Sequence, residues 1–327
     1  MRALSVVGTL TGVLLLAGTA AAQPLELNFG TTNDPGGMQY LSAEEWAKRV
    51  NAALEGEARV EVFGSSQLGN DTEMLKKLKL GALDFSQPST VMSTVVPQFG
   101  LFDMPYLVKD RAHADCIAKE IIWPELAPLA EAEGYKLIGV WENGIRQITN
   151  NVRPVNTPED LQGLKLRTPS GVWRVKMFQA YGANPTPMEF SELFVALQTG
   201  VVDGQENPYA NIWAAKFNEV QEYLSETNHV YTPSFPVASL KRWETWPKEV
   251  QDAILQAGAE VQPWTYETAE KLDGELRQQL IDAGMAFNEA DREAFVAASQ
   301  PVYDQFAAEV EGGKELIDRA LALADGC

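Results

Sequence analysis

Residues 72–84 and 191–203 of this chain line up without a gap, and no other feature constrains the fold as much. Thr72-Glu73 aligns with Ser191-Glu192, Leu78 with Leu197, Gly81 with Gly200 and Asp84 with Asp203. Each copy reads as a hydroxyl N-cap, a helix of about two and a half turns, a glycine C-cap and a short apolar strand beginning at residue 82 or 201. Chance likeness between two capped helices is the competing account, since both obey common capping rules. A real repeat means two similar lobes. The loops that follow, 86–90 and 205–208, then hold equivalent places and face each other across a cleft.

The surrounding text agrees with an α/β architecture. Leu25 to Phe29 alternates as a strand, Asp34-Pro35-Gly36-Gly37 closes a loop, Ser42 to Leu54 has helical spacing, and Ala58 to Phe63 reads as a second strand. Such βαβ units bind ligands in loops at the carboxyl ends of their strands. Asn143-Gly144 marks a turn between the lobes, and Thr157-Pro158-Glu159-Asp160 is a helix start. From Pro247 to Met285 the chain permits helix throughout, with Val250, Ile254, Val261, Leu272, Leu276 and Leu280 at mostly helical spacings. That is too long for one small domain, and its apolar positions drift from a coiled-coil register, so a strut across both lobes fits best. The expected division is 23–144 with about 231–272 as lobe I, and 145–230 with about 273–327 as lobe II.

Met1-Arg2, the uncharged run Ala3 to Ala22 and its closing Ala20-Ala21-Ala22 read as a secretory signal peptide over residues 1–22. A retained N-terminal anchor is the alternative, because the run is about long enough to span a bilayer. The small-residue cleavage pattern favours removal and a periplasmic location, and no cysteine marks a lipid anchor. Without those 22 of 327 residues, 305 remain, more than one core usually serves. A formal net charge of −19 argues against nucleic acid or an anionic membrane surface as partner. In an oxidising compartment Cys116 and Cys327 can form one disulfide, and two unpaired thiols are equally consistent with the sequence.

Catalytic signatures are missing. The chain has no GxSxG elbow, HExxH, Walker loop or CxxC pair, and two histidines, His113 and His229, leave little for metal or triad chemistry. No catalytic residue, metal site or cofactor is assigned. What stands out is Gly163-Leu-Lys-Leu-Arg167-Thr-Pro169, where Leu164 and Leu166 alternate with Lys165 and Arg167 and Pro169 ends the strand. A guanidinium at a strand end can grip a carboxylate through two parallel hydrogen bonds. Polar and aromatic groups near other strand ends complete the candidate binding set: Thr32, Asp71, Ser89, Asn143, Arg146, Phe190, Asn207, Trp213 and His229. Within it, the direction of Arg146 is open because Ile145 and Ile148 break alternation. Phe190 by default staples a helix start, and a single histidine such as His229 is by default structural.

The segment Leu161 to Val230 carries Gly163-Leu-Lys-Leu-Arg-Thr-Pro, Ala183-Asn-Pro-Thr-Pro-Met-Glu-Phe-Ser, Ala196-Leu-Gln-Thr-Gly-Val-Val-Asp-Gly-Gln-Glu-Asn-Pro and Ala215-Lys-Phe-Asn-Glu-Val-Gln. With Ser65-Ser-Gln-Leu-Gly69, this text resembles the substrate-binding proteins of tripartite ATP-independent periplasmic (TRAP) transporters, of the DctP type, over essentially the whole mature chain. The resemblance implies a two-lobed α/β, periplasmic-binding-protein-like fold with a long helix spanning both lobes. It also implies a monomeric receptor that closes on a small organic acid and hands it to membrane permease subunits. By position Arg167 matches the family's carboxylate clamp, Asn207 its helper amide, Arg146 a second basic residue and Phe190 the ring packed on the ligand. Thr32, Asp71 and Ser89 match positions lining the opposite lobe in some members, and the small Ser89 speaks against a sialic-acid-like ligand. A sugar acid or other hydroxy monocarboxylate is preferred to a C4-dicarboxylate, with Arg146 and Arg167 both serving one carboxylate. Aromatic and keto acids stay open, as do a periplasmic hydrolase and a ligand sensor on the same fold.

Overall fold

The computed structural model describes residues 24–327, so the signal-peptide reading of residues 1–22 lies outside the described residues. Leu25–Gly30 buries Leu27 and Phe29 and pairs in parallel with Ala58–Phe63 on one side and Phe85–Ser86 on the other. Val237–Ser239 and Tyr135–Leu137 extend this into a five-stranded sheet. A six-stranded sheet, from Ala286–Glu289 through Tyr223–Glu226, Gln147–Asn150, Gly204–Asn207 and Lys165–Thr168 to Asn184–Pro187, forms the second lobe. Between the sheets run two antiparallel strands, Trp141–Ile145 and Tyr231–Ser234, through which the chain crosses from one sheet to the other and back.

The repeat is structural. Its helices, Asp71–Leu80 and Phe190–Gln198, both end where a glycine takes left-handed backbone, Gly81 at φ 76° and Gly200 at φ 71°. Asp84 accepts the Asn28 amide at 2.9 Å, and its counterpart Asp203 accepts the Lys165 amide at 2.8 Å, so equivalent residues tie equivalent strands. Two details differ from expectation. The first helix is capped by Asn70 in a reciprocal box with Glu73, not by Thr72, and the second has Glu189 at its cap with no side-chain cap bond. The strands begin at residues 85 and 204, because residues 82–84 and 201–203 are used up turning the chain.

The strut is the helix Lys248–Asp282, 35 residues and so about 52 Å long. Its first half buries Val250, Ile254 and Val261 with Trp46, Phe85 and Trp141, while its second half buries Ala269, Leu276 and Leu280 with Leu193 and Ile212. At Gly258 an added Cβ would lie 1.8 Å from the Ile138 carbonyl oxygen, so only glycine lets the helix run this close to the backbone. Helices Arg292–Glu309 and Gly313–Ala322 pack on Val172–Ala180 and on the turn Pro97–Asp103. Cys116 and Cys327 are disulfide-bonded, with 5.6 Å between their Cα atoms, and fasten the C-terminus to the helix Arg111–Ile117. Among the described residues no helix is long and apolar enough to cross a membrane.

Candidate ligand-binding cleft

A cavity lies between the lobes where the two repeats face each other. Ser89 and Thr90 from the loop after the first repeat and Asn207 from the strand of the second both line it, as the repeat requires. Thr32, Asp71, Asn143, Arg146, Arg167 and Phe190 also line it, so eight of the sequence candidates converge on one space.

Arg167 ends the Lys165–Thr168 strand and is 3% exposed. Its Nε donates to the Met188 carbonyl at 2.9 Å, which fixes the stem, and its two terminal nitrogens have no hydrogen-bond partner among the described residues. The guanidinium sits 5.8 Å from the centre of the Phe190 ring. Burial, reinforced by the Arg146 charge, draws its pKa down to about 10, so it remains cationic at neutral pH.

Arg146 is differently employed. Its Nε and one terminal nitrogen hold both oxygens of the Glu206 carboxylate, and that nitrogen also donates to Asn207 Oδ1 at 3.1 Å. Arg174 donates to Glu206 at 2.7 Å and to Asp103 at 2.7 Å, and His229 Nε2 lies 3.2 Å from Glu206. Burial alone would raise the Glu206 pKa, but the two guanidinium charges and the His229 contact outweigh it and hold the group well below the usual carboxylate range. Burial takes His229 down to about 4 against the pull of Glu206, so the ring is neutral at pH 7.

Three expectations are thereby corrected. Arg146 borders the cavity, but Glu206 already compensates its charge, so the two arginines are not equivalent in their surroundings. His229 is fully buried against Glu206 and Thr227 and does not reach the cavity. Trp213 is 38% exposed: on the helix Tyr209–Ala214 it falls about 200° from Asn211, and it is Asn211 that faces the cleft. Trp141 and Trp173 are core residues packed near Trp46 and Phe306, which leaves Phe190 as the one ring among the lining residues.

Sequence reasoning missed Asn33, Gln39, Thr90 and Asn211. Asn33 donates to Gln39 at 3.0 Å and Asn211 to Asn143 at 3.0 Å, while the buried side-chain Oδ1 of Asn211 has no partner among the described residues. It also missed Glu206, for which a signal existed: Gly204-Gln-Glu-Asn207 is wholly polar apart from its glycine yet forms a central strand with all four residues buried. Asp71 meets the cavity from the start of its helix, with Thr32 Oγ1 donating to it at 3.4 Å. Burial and then the Glu189 charge push its pKa up to about 7, with Arg167 and Thr32 opposing.

Residues 29–309 match the model of a bacterial extracellular solute-binding protein family, family 7, DctP. The chain belongs to that family. It is 33% identical over 323 residues to the 2,3-diketo-L-gulonate-binding periplasmic protein YiaO of Escherichia coli, covering 94% of this chain and 97% of that one. Among solved structures, the sugar acid binding protein DctPAm of Advenella mimigardefordensis with galactonate superposes with a TM-score of 0.88 at 31% identity, covering 93% of this chain and 98% of its own. A TRAP periplasmic solute-binding protein of Polaromonas sp. JS666 bound to D-erythronate gives a TM-score of 0.87 at 32% identity, covering 91% and 98%. The protein is therefore a periplasmic TRAP-type solute receptor for a small organic acid, with the two-lobed fold expected of it.

Proposed function

We propose that this receptor binds a polyhydroxylated monocarboxylate, a sugar acid of the aldonate or hexuronate class, and delivers it to its membrane permease. One observation carries the reading: Arg167 is buried at the cleft with its terminal nitrogens unpartnered, while the rest of the lining is mostly amides and hydroxyls. The carboxylate takes both terminal nitrogens of Arg167, with Asn207 beside it and Phe190 against the ligand's apolar face. Asn33, Gln39, Asn143, Asn211, Ser89 and Thr90 offer the donors and acceptors that a hydroxylated tail needs. The names of similar proteins support the class, since galactonate and D-erythronate carry one carboxylate and several hydroxyls. An aromatic acid would find one ring, Phe190.

The lobes proposed are 23–144 with about 231–272, and 145–230 with about 273–327, hinged at the Trp141–Ile145 and Tyr231–Ser234 ribbon. Closure expels water and strengthens the charge-assisted bonds to the acid. The receptor acts as a monomer, without nucleic acid, and turns nothing over. A thermal-shift panel of the mature chain tests the reading, because a ligand that binds only the folded state raises the unfolding midpoint. D-galactonate, L-gulonate and D-erythronate should raise it; a rise with no acid of the panel would reject the proposal.

A further inference from the structure

The Thr72 hydroxyl donates to the Glu189 carboxylate at 2.9 Å, and these residues stand at the starts of the two repeated helices. Equivalent helix starts thus meet across the cleft. They bring two carboxylates, Asp71 and Glu189, within electrostatic reach of Arg167, a lining guanidinium whose terminal nitrogens are both unbonded. Thr72 and Glu189 themselves stand just outside the cavity lining.

The charges around the cavity can be counted. Arg146 and Arg174 are balanced by Glu206 and Asp103, and His229 is neutral. Near Asp71, Glu73 is turned back to the Asn70 amide, Lys77 is bonded to the Leu68 carbonyl, and Asp34 takes the Ser65 hydroxyl. One positive charge, Arg167, therefore faces Asp71 and Glu189. Two groups on buried residues independently call for a ligand: the terminal nitrogens of Arg167, a residue 3% exposed, and the unpartnered side-chain Oδ1 of Asn211, a residue 2% exposed. The first takes a carboxylate and the second a hydroxyl.

An acid gripped through one carboxylate takes up both unbonded terminal nitrogens of Arg167. A second carboxylate on the same ligand would lie in the field of two anions. Like charges brought together in a desolvated interface are strongly unfavourable, and such repulsion is how a site rejects a near-relative of its ligand.

We propose that Glu189, held against Thr72 and acting with Asp71, is a specificity-determining residue that admits hydroxylated monoacids and turns diacids away. This rests on the receptor reading above and names a residue that chooses within it. The amide of Glu189→Gln can still accept from Thr72 but carries no charge, whereas Thr72→Val breaks the contact and leaves the charge.

Titration calorimetry at pH 7.5 with D-galactonate and with succinate, on the mature chain and these two variants, separates the roles. Wild type should favour galactonate. Glu189→Gln should lower the galactonate-to-succinate preference on the order of tenfold, chiefly through tighter succinate binding, the effect of removing one like charge. Thr72→Val should weaken both acids together and keep their ratio. An unchanged ratio in Glu189→Gln overturns the proposal while leaving the sugar-acid reading intact, and a wild type that prefers succinate overturns both. Binding of neither acid by any of the three proteins overturns both.

Discussion

Arg146 and Glu206 form a fully buried ion pair in which the guanidinium holds both carboxylate oxygens, beside a cavity whose other arginine, Arg167, is left free. The pair gives the two lining arginines different surroundings. It also makes the strand Gly204–Asn207 part of a charge network that includes Arg174, Asp103 and His229.

Breaking that network should be costly to folding. Glu206→Gln leaves Arg146 and Arg174 buried with one anion, Asp103, between them, and removal of one partner from a buried pair costs about 3–5 kcal/mol. Urea denaturation of the variant should show a loss on that scale, and a loss below about 1 kcal/mol would contradict the burial and bonding described.

Arg167→Ala should behave in the opposite way. Its guanidinium makes a single hydrogen bond within the described chain, so the unfolding midpoint should change little. Affinity for D-galactonate should fall by about 2–5 kcal/mol, the range for truncating one member of a buried hydrogen-bonded charge pair. Calorimetry and denaturation on the same preparation distinguish this clamp from a structural arginine.

Closing should take up a proton. With Thr72 and Glu189 in contact across the cleft, Asp71 is raised to about 7, first by burial and then by Glu189, against an ordinary value of 3.8. The groups facing it are Glu189 and Arg167 from the opposite lobe and Thr32 from its own. Because the closed-state pKa is the higher one, the penalty on closing is complete above pH 7 and is relieved as pH falls through 7 toward 3.8. Galactonate affinity should therefore strengthen from pH 8 to pH 6, where the ligand's own carboxylate stays ionised, and Asp71→Asn should flatten the profile. Affinity that is constant, or that weakens, over this range would refute the assignment.

Reducing the Cys116–Cys327 bond should lower stability without touching the site. The crosslink spans 211 residues of sequence, and a loop of that size contributes up to about 5 kcal/mol in the chain-entropy account, with about 2–4 typical. Denaturation with and without reductant should show the loss, while galactonate affinity of the folded protein should be unchanged.

Much of this was legible in one dimension because it depends on local patterns. Glycine at 81 and 200 marked two helix ends, and the alignment ran on to Asp84 and Asp203, which the structure shows tying equivalent strands. Alternation in Leu164 to Arg167 put the leucines inside and the arginine at a strand end, and the apolar spacing after Pro247 marked the strut. The eight candidates that line the cleft lie next to such strand ends and loops. Spacing and capping express backbone geometry, which the sequence writes directly.

Only the tertiary structure decided which charges are spent and which are free. Arg146 and Glu206 are 60 residues apart, Asp103 and Arg174 71, and Thr72 and Glu189 117, so no local pattern pairs them. The same holds for the turn of Asn211 into the cleft, the exclusion of His229 from it, and the choice between a disulfide and two thiols. A charge's meaning depends on the distance to its nearest partner and on burial, and both are set only when the two lobes and the strut have packed.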